Sequence, residues 1–170
     1  MRCVRLATGV QWTSEAREVK AMSQENLVVC TKCVTINRLP STRNGSDAKC
    51  GKCGARLFSG HPQDLNAVNF ERQVGRGSLP VLVDVWAPWR GPCKMMAPAY
   101  EAAAQALEPH VRLIKLNSEK EQAIAARLGI RGIPTMILFH HKREIARISG
   151  AMSTSQIVSW VRSNLPAGTS

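Results

Sequence analysis

The stretch that decides the fold is residues 86–94, which have the sequence WAPWRGPCK. The residues before it, 79–86, form a short apolar run rich in valine, which is typical of a strand buried on both faces of a sheet. Gly91 or Pro92 begins a long helix that extends to about Leu107 and is kinked where Pro98 removes a backbone donor. The stretch therefore predicts a strand that turns directly into a helix, with Cys93 in the first helical turn.

Alternating strand and helix signals continue on both sides of this unit. Upstream, Asn66 or Asn69 is expected to cap a helix that ends near Val74. Downstream, Ser153 or Thr154 is expected to cap the last helix, and the other elements are a strand at 111–116, a helix at 119–128 and strands at 135–140 and 144–149. The order β-α-β-α-β-α-β-β-α predicts an α/β fold whose central sheet, of mixed direction, has helices on both faces.

Composition and charge exclude some classes of partner. The 170 residues are 44% hydrophobic, which fits a globular protein with a sizeable core. No apolar run approaches the roughly 20 residues of a membrane-spanning helix, so no membrane partner is expected. The net charge of +11 is spread along the chain, and a solvated basic surface is the preferred interpretation. Nucleic acid is the less favoured partner, because Phe58 is the only aromatic residue in the basic segment 23–60.

Four of the six cysteines form two close pairs, Cys30 with Cys33 and Cys50 with Cys53, whose spacing matches a two-knuckle zinc site. Four thiolates can close the tetrahedral shell of Zn²⁺, which predicts one structural ion. Free thiols or two local disulfides are the alternatives. Metal binding would replace the core that this segment lacks. Because zinc–thiolate sites persist where thiols stay reduced, a cytoplasmic location is expected.

The chain is expected to divide into three segments. Residues 1–22 are interpreted as a disordered extension, because their basic start lacks the apolar core of a secretory signal. Residues 25–60 form the four-cysteine module, in which Gly51 and Gly54 are expected to supply tight turns. Residues 62–168 form the α/β domain, and a linker joins the two at residues 60–62.

Several separated motifs give the chain a resemblance to a known family. They are the apolar strand, WAPW at 86–89, the pair Gly91 and Pro92 before Cys93, and RGIPT at 131–135 before the next strand. From Leu65 to Leu165 the chain resembles a thioredoxin. With the four-cysteine module in front, it is similar to the thioredoxin-2 branch, whose members carry an N-terminal zinc ribbon. The resemblance implies a thioredoxin fold and the reduction of protein disulfides, with thioredoxin reductase as the partner that supplies electrons.

The resemblance also assigns roles to residues near the active-site loop, which corresponds here to the segment between the strand and the helix at residues 87–92. Asp84 matches the family's buried carboxylate, which assists proton transfer to the second active-site cysteine, here Cys93. Lys115 matches the lysine near that carboxylate, and Pro134 matches a cis-proline that faces the loop. From the residues alone, a carboxylate inside an apolar strand should have a raised pKa unless it is paired, and an ion pair with Lys115 is the alternative.

A shallow apolar groove for an extended substrate segment is implied beside the same loop. Trp89 is expected on the surface there, whereas Trp86 is expected in the core. The backbone of Ile133 is expected to pair with the substrate. The residues that match the groove are Trp89, Gly91, Pro92, Gly132, Ile133, Pro134, Gly150 and Ala151.

Arg90 stands where the family has its attacking cysteine, and it is the one departure from the WAPWxGPCK pattern. In the dithiol mechanism one thiolate forms a mixed disulfide with the substrate, and the second thiol then resolves it. With Cys93 alone the chain cannot form the internal disulfide, so dithiol turnover is predicted to be lost or severely impaired. A nearby cation lowers the pKa of Cys93 and burial raises it, and the sequence does not decide which effect is larger.

Two other functions stay open at this point. A non-catalytic module would keep the groove and hold extended peptides or protein segments. A zinc-linked redox sensor would release its metal when the thiolates are oxidised.

Overall fold

The computed structural model describes residues 26–40 and 45–166. Its first part, which we call the ribbon, comprises the described residues up to 60. The ribbon contains two antiparallel strands, β1 (Asn26–Val29) and β2 (Ile36–Leu39), and a 3-10 turn at Gly45–Asp47. The extension predicted over residues 1–22 lies outside the described residues.

The second part, which we call the α/β unit (residues 61–166), is built around a five-stranded sheet. In chain order its elements are β3 (Gln63–Asp64), α1 (Ala67–Arg76), β4 (Val81–Trp86), α2 (Gly91–Leu107), β5 (Arg112–Asn117), α3 (Gln122–Arg127), β6 (Thr135–His140), β7 (Arg143–Ser149) and α4 (Thr154–Asn164). The strands lie in the order β3-β5-β4-β6-β7. Strands β3, β4 and β5 are parallel, whereas β6 and β7 each run antiparallel to their neighbours. The predicted element order and the mixed sheet are confirmed.

Helix boundaries differ from the sequence-based expectations for local reasons. Asn66 caps α1, as one expectation had it, but the helix continues past Val74 to Arg76. The helix expected from residue 119 begins only at Gln122, because the Asn117 side chain accepts hydrogen bonds from the N–H groups of Glu119 and Lys120 and holds a turn there. Ser153, rather than Thr154, caps α4 in a capping box.

The sheet is covered on both faces, because alternate residues of each central strand point to opposite sides. On one face, Leu82 and Leu113 pack with side chains from α2 and α4. On the other, Val83 and Ile114 pack with side chains from α1 and α3. The Tyr100 hydroxyl of α2 lies 2.8 and 2.9 Å from the carbonyl oxygens of Leu82 and Ile114, so it ties the helix to two neighbouring strands.

The ribbon packs against the α/β unit on the side away from residues 87–92. The Leu27 backbone exchanges hydrogen bonds with Ser78, through its N–H to Oγ (2.8 Å) and its carbonyl to the Ser78 N–H (2.9 Å). The buried Gln73 side chain of α1 donates to the carbonyl of Val29 at 3.0 Å. Within the described residues, no helix has the length and apolar character needed to cross a membrane.

Candidate functional site

The four paired cysteines converge on one point in the ribbon. Their sulfur atoms all lie within 4.8 Å of one another. The Sγ atoms of Cys30 and Cys53 are 3.7 Å apart, and those of Cys33 and Cys50 are 3.5 Å apart. All four are free cysteines, so the alternative of two local disulfides is wrong for this structure.

Both pairs are presented by the same backbone turn. In the first, the Cys30 N–H donates to Thr35 (2.9 Å) and its carbonyl accepts from Val34 (3.0 Å). The second pair repeats these two bonds at Cys50, at 2.8 and 2.9 Å. The residue after each pair has a positive φ, 53° at Val34 and 70° at Gly54. Gly54 therefore supplies a tight turn as expected, whereas Gly51, also expected to do so, has no positive φ.

The sulfur arrangement fits a tetrahedral thiophilic ion. Zn–S bonds of about 2.3 Å in a regular tetrahedron place sulfurs about 3.8 Å apart, close to the two separations above. Backbone N–H groups also favour deprotonation here: that of Cys53, helped by Lys52 and opposed by burial, lowers the pKa of Cys50 to about 6. The N–H of Ala55 likewise favours the Cys53 thiolate, but the neighbouring sulfurs and burial raise its pKa to about 11. These four cysteines could hold a metal ion.

A second group of residues lies at one edge of the main sheet. The register pairs Trp86 with Asn117, Val85 with Thr135, and Thr135 with Ser149. The loops that follow β4 and β7 and precede β6 therefore meet at this edge. They carry Trp89, Arg90, Gly91, Pro92, Gly132, Ile133, Pro134, Gly150 and Ala151, so the structure brings together the residues that the sequence places in a groove.

Arg90 and Cys93 occupy contrasting positions in this loop. Arg90 is the exposed N-cap residue of α2, and its guanidinium carbon lies 5.3 Å from the centre of the Trp89 ring. Cys93 is only 4% exposed. Burial raises the pKa of its thiol and Asp84 adds to the effect, whereas a backbone hydrogen bond at Ala87 and the charge of Arg90 lower it. Burial outweighs the cation, which answers the question left open by the sequence.

Asp84 lies beneath the loop in β4, 2% exposed, and within the described part of the chain its Oδ1 has no hydrogen-bond partner. Burial raises its pKa to about 7, against the charge of Lys115. No ion pair within 4.0 Å joins the two residues among those described, and the Lys115 ammonium instead lies 4.2 Å from the Trp86 ring centre. Trp86 is only half-buried and donates to Asp64 at 2.9 Å, so the expectation of a core tryptophan is wrong.

The loop at residues 87–92 exposes apolar surface, and two backbone features stand beside it. Trp89 is 61% exposed, as expected. The Ile133–Pro134 peptide bond is cis, which confirms the expectation from the family resemblance. The Gly150 N–H donates to the Pro134 carbonyl at 2.9 Å, and Gly150 has a φ of 107°, a conformation that disfavours a side chain.

Two residues of interest were missed by the sequence reasoning. Met95, 75% exposed, lies two residues after Cys93 and on the outer face of α2. Its position could have been read from the helical period, since Cys93 and Met96 face inward. Arg112 is a buried cation at the start of β5, and no local sequence signal distinguishes it from a solvated arginine.

Comparisons with known proteins agree with this geometry. A family model described as Thioredoxin matches residues 61–163, and one described as Thioredoxin 2, N-terminal matches residues 29–55. Thioredoxin C-3 of Corynebacterium nephridii is 37% identical over 139 residues, covering 82% of this chain and 95% of that protein. Thioredoxin of Pseudomonas aeruginosa is 37% identical over 108 residues, 64% of this chain and 100% of that protein.

A solved structure of thioredoxin from Malassezia sympodialis gives a TM-score of 0.56 at 29% identity, covering 62% of this chain and 92% of that one. A second, a mutant thioredoxin from Halobacterium salinarum, has the same TM-score at 24% identity, covers 63% of this chain and 96% of that one, and supports the fold alone. The fold and these matches define the class, a protein of the thiol–disulfide oxidoreductase kind with an added ribbon. The chain belongs to the thioredoxin family and carries a zinc ribbon of the thioredoxin-2 type.

Proposed function

We propose that this chain is a thioredoxin-2-like protein in which dithiol turnover is lost or severely impaired because Arg90 replaces the nucleophilic cysteine. The observation that supports this best is the placement of the sulfurs. Cys93 is in the first turn of α2, whereas the four other described cysteines lie in the ribbon, which contacts the far end of that helix at Glu108. At 1.5 Å per helical residue, Cys93 and Glu108 are about 22 Å apart along α2.

The chemistry then stops after its first half. If the Cys93 thiolate attacks a substrate disulfide, one S–S bond forms as another breaks, and one substrate sulfur leaves as a thiolate. A second thiol beside Cys93 would attack the mixed disulfide. It would form an internal S–S bond with Cys93 and release the second substrate sulfur as a thiolate. Arg90 has no sulfur to do so, and no other cysteine of the described residues lies beside Cys93, so an external thiol is the route by which Cys93 returns to its starting state. The low exposure of Cys93 and its raised pKa make even the first step slow.

We propose that one Zn²⁺ binds Cys30, Cys33, Cys50 and Cys53. The closed four-sulfur shell leaves no position for a substrate, so its role is structural. We also propose that the protein works in the cytoplasm and that its partners are proteins with disulfides or extended segments. By family resemblance, thioredoxin reductase would be the partner that supplies electrons. The family acts on protein disulfides in general, and without a dithiol this chain would receive no electron pair from that reductase.

The test is an insulin reduction assay with dithiothreitol as the electron source. We expect the parent chain to remain at the reagent background and Arg90→Cys to turn over at least about 100-fold faster. Cys93→Ser in the Arg90→Cys background should return the rate to background, which attributes the gain to the restored pair. Equal turnover by the parent and Arg90→Cys would refute the proposal.

A second candidate function, a peptide-binding module without turnover, is favoured by the exposed apolar surface beside Cys93. Trp89 and Met95 keep 61% and 75% of their surfaces exposed, which is unusual for large apolar side chains so close together in the sequence. The cis peptide at Pro134 and the backbone of Ile133 lie at the same sheet edge. Such a module would bind extended segments whether or not Cys93 reacts.

A further inference from the structure

A charged side chain of the α/β unit is buried in the contact with the ribbon. Arg112, the first residue of β5, is 4% exposed, and its guanidinium carbon lies 4.6 Å from the centre of the Phe58 ring. Phe58 belongs to the same buried cluster as Cys30 and Cys50. Strand β5 thus places a cation against the cluster that contains two of the four sulfurs.

The pairing of Arg112 within the protein is incomplete. Its Nη1 lies 3.4 Å from Oε1 of Glu108, a long contact for an ion pair, and its Nη2 is buried without a hydrogen-bond partner among the residues that the structure describes. The other carboxylate oxygen of Glu108 accepts the N–H of Gly60 at 2.8 Å. A buried guanidinium is costly unless its charge and donors are matched, and Glu108 shares its own charge with the ribbon backbone.

The cysteine cluster can supply the negative charge that this cation lacks. Four thiolates around one Zn²⁺ carry a net charge of −2, which is itself unfavourable on the side of the site where Cys30 and Cys50 are buried. Arg112 also lines a small cavity together with Val28 and Val29, the two residues that precede Cys30, so its charge lies beside the backbone that carries this sulfur and can act on the Cys30 thiolate. Cys30 is fully buried, which leaves water little part in screening that interaction.

We propose that Arg112 is the charge-balancing partner of the metal centre, so that the zinc site is composite, with four sulfurs from the ribbon and one cation from the α/β unit. This inference rests on the proposed zinc site. It assigns Arg112 a positioning role: the guanidinium touches Phe58 and Glu108 and acts on the metal through the charge of the thiolates. Metal loading and the docking of the ribbon on β5 are then mutually dependent, because each strengthens the other.

The test compares zinc affinities of the full chain by competition with a chromogenic chelator under reducing conditions. The main variant is the double substitution Arg112→Met with Glu108→Gln, which removes both charges and leaves no buried carboxylate unpaired. We expect its zinc dissociation constant to rise about tenfold, as for other outer-shell partners of metal ligands. Arg147→Met with Glu144→Gln removes an exposed ion pair on β7 and should change the constant less than about twofold.

The double variant separates the two roles that Arg112 can have. If Arg112 serves only as the partner of Glu108, removing both charges together leaves the zinc dissociation constant at the parent value. A change in that constant of less than about twofold therefore overturns the inference. Co²⁺ should give the same thiolate charge-transfer band in parent and variant, which shows that all four sulfurs still bind. Should the methionine variant fail to fold, Arg112→Gln with Glu108→Gln makes the same test with hydrogen-bonding groups kept.

The outcome for the parent distinguishes this inference from the zinc proposal beneath it. A parent chain that binds no zinc refutes the zinc site itself, and the inference falls with it. If the parent binds one zinc ion and the double variant binds zinc with the same affinity, only the role of Arg112 is refuted.

Discussion

The ribbon and the α/β unit are held together by different means. Among the described residues, the buried cluster of the ribbon has five members, and two of them are cysteines. The sheet of the α/β unit separates two clusters of twelve and ten buried residues. Within the described ranges the ribbon strands have four residues each and pair only with one another, whereas β4 has six residues and a partner on either side.

The difference shows where each region gets its stability. Burial of side chains over both faces of the sheet is sufficient to order the α/β unit. A cluster as small as that of the ribbon does not offset the conformational entropy of the chain around it, so bonds from sulfur to metal have to supply the remainder. Substitutions should therefore act in opposite ways in the two regions. Loss of a metal-binding sulfur should unfold the ribbon, whereas loss of a buried polar group from the sheet should raise the free energy of unfolding.

Metal removal should have the largest effect, and only on the ribbon. We expect chelation under reducing conditions to expose residues 26–58 to protease, while the α/β unit stays resistant and keeps its far-UV circular dichroism. Structural zinc in small domains contributes about 10–16 kcal/mol, far more than the ribbon cluster can replace. Limited proteolysis with mass spectrometry would locate the cuts.

Two substitutions make the same comparison without a chelator. Cys50→Ser removes a buried sulfur of the ribbon and should reproduce the effect of metal removal. Cys93→Ser is the matched control, because it removes an equally buried sulfur from the α/β unit and should leave the ribbon protected. Continued protection of residues 26–58 in the chelated, reduced chain would show that the ribbon folds without metal.

Asp84 tests the opposite half of the comparison, a polar group that costs stability in the sheet. Its pKa is raised to about 7, so the folded protein holds a proton on Asp84 at pH values where the unfolded chain has lost it. Stability is therefore greatest below the unfolded pKa and falls as pH rises towards 7. A pKa near 7 in place of 3.8 corresponds to roughly 4 kcal/mol of destabilisation at alkaline pH.

The measurement is urea unfolding of Asp84→Asn and of the parent at pH 5 and pH 9. The variant should be the more stable of the two, and its advantage should grow by roughly 3 kcal/mol between these values, because the asparagine never ionises. The exposed Glu119→Gln should show no such growth. An Asp84→Asn advantage that is the same at both pH values would mean that Asp84 does not titrate as described.

The same contrast explains how far the sequence predicts this molecule. The valine run, the helix caps at Asn66 and Ser153 and the spacing of the cysteine pairs are local signals, and they predicted the element order and the sulfur cluster. The missed features depend on distant segments. Arg112 is buried because Phe58 and Glu108 reach it from the ribbon and from the end of α2, and Trp86 leaves the core because Asp64 and Lys115 bind it from β3 and β5.

Trp89 should show the smallest effect on stability and a clear one on binding. Because its side chain is 61% exposed, Trp89→Ala should change the free energy of unfolding by less than about 0.5 kcal/mol. If the surface around residues 87–92 binds extended segments, loss of this aromatic side chain should weaken binding about tenfold, or about 1.4 kcal/mol. The probe is S-carboxymethylated insulin B chain, which has no disulfide and so measures binding without exchange.

Ile36→Ala is the control for Trp89→Ala. Ile36 is 43% exposed and lies on β2 of the ribbon, on the side of the protein away from residues 87–92, so its loss should leave binding of the B chain unchanged. Equal binding by the parent, Trp89→Ala and Ile36→Ala would exclude the tryptophan surface as a binding site. Loss of binding only in Trp89→Ala, with Cys93→Ser still binding, would mean that the surface works independently of the sulfur beside it.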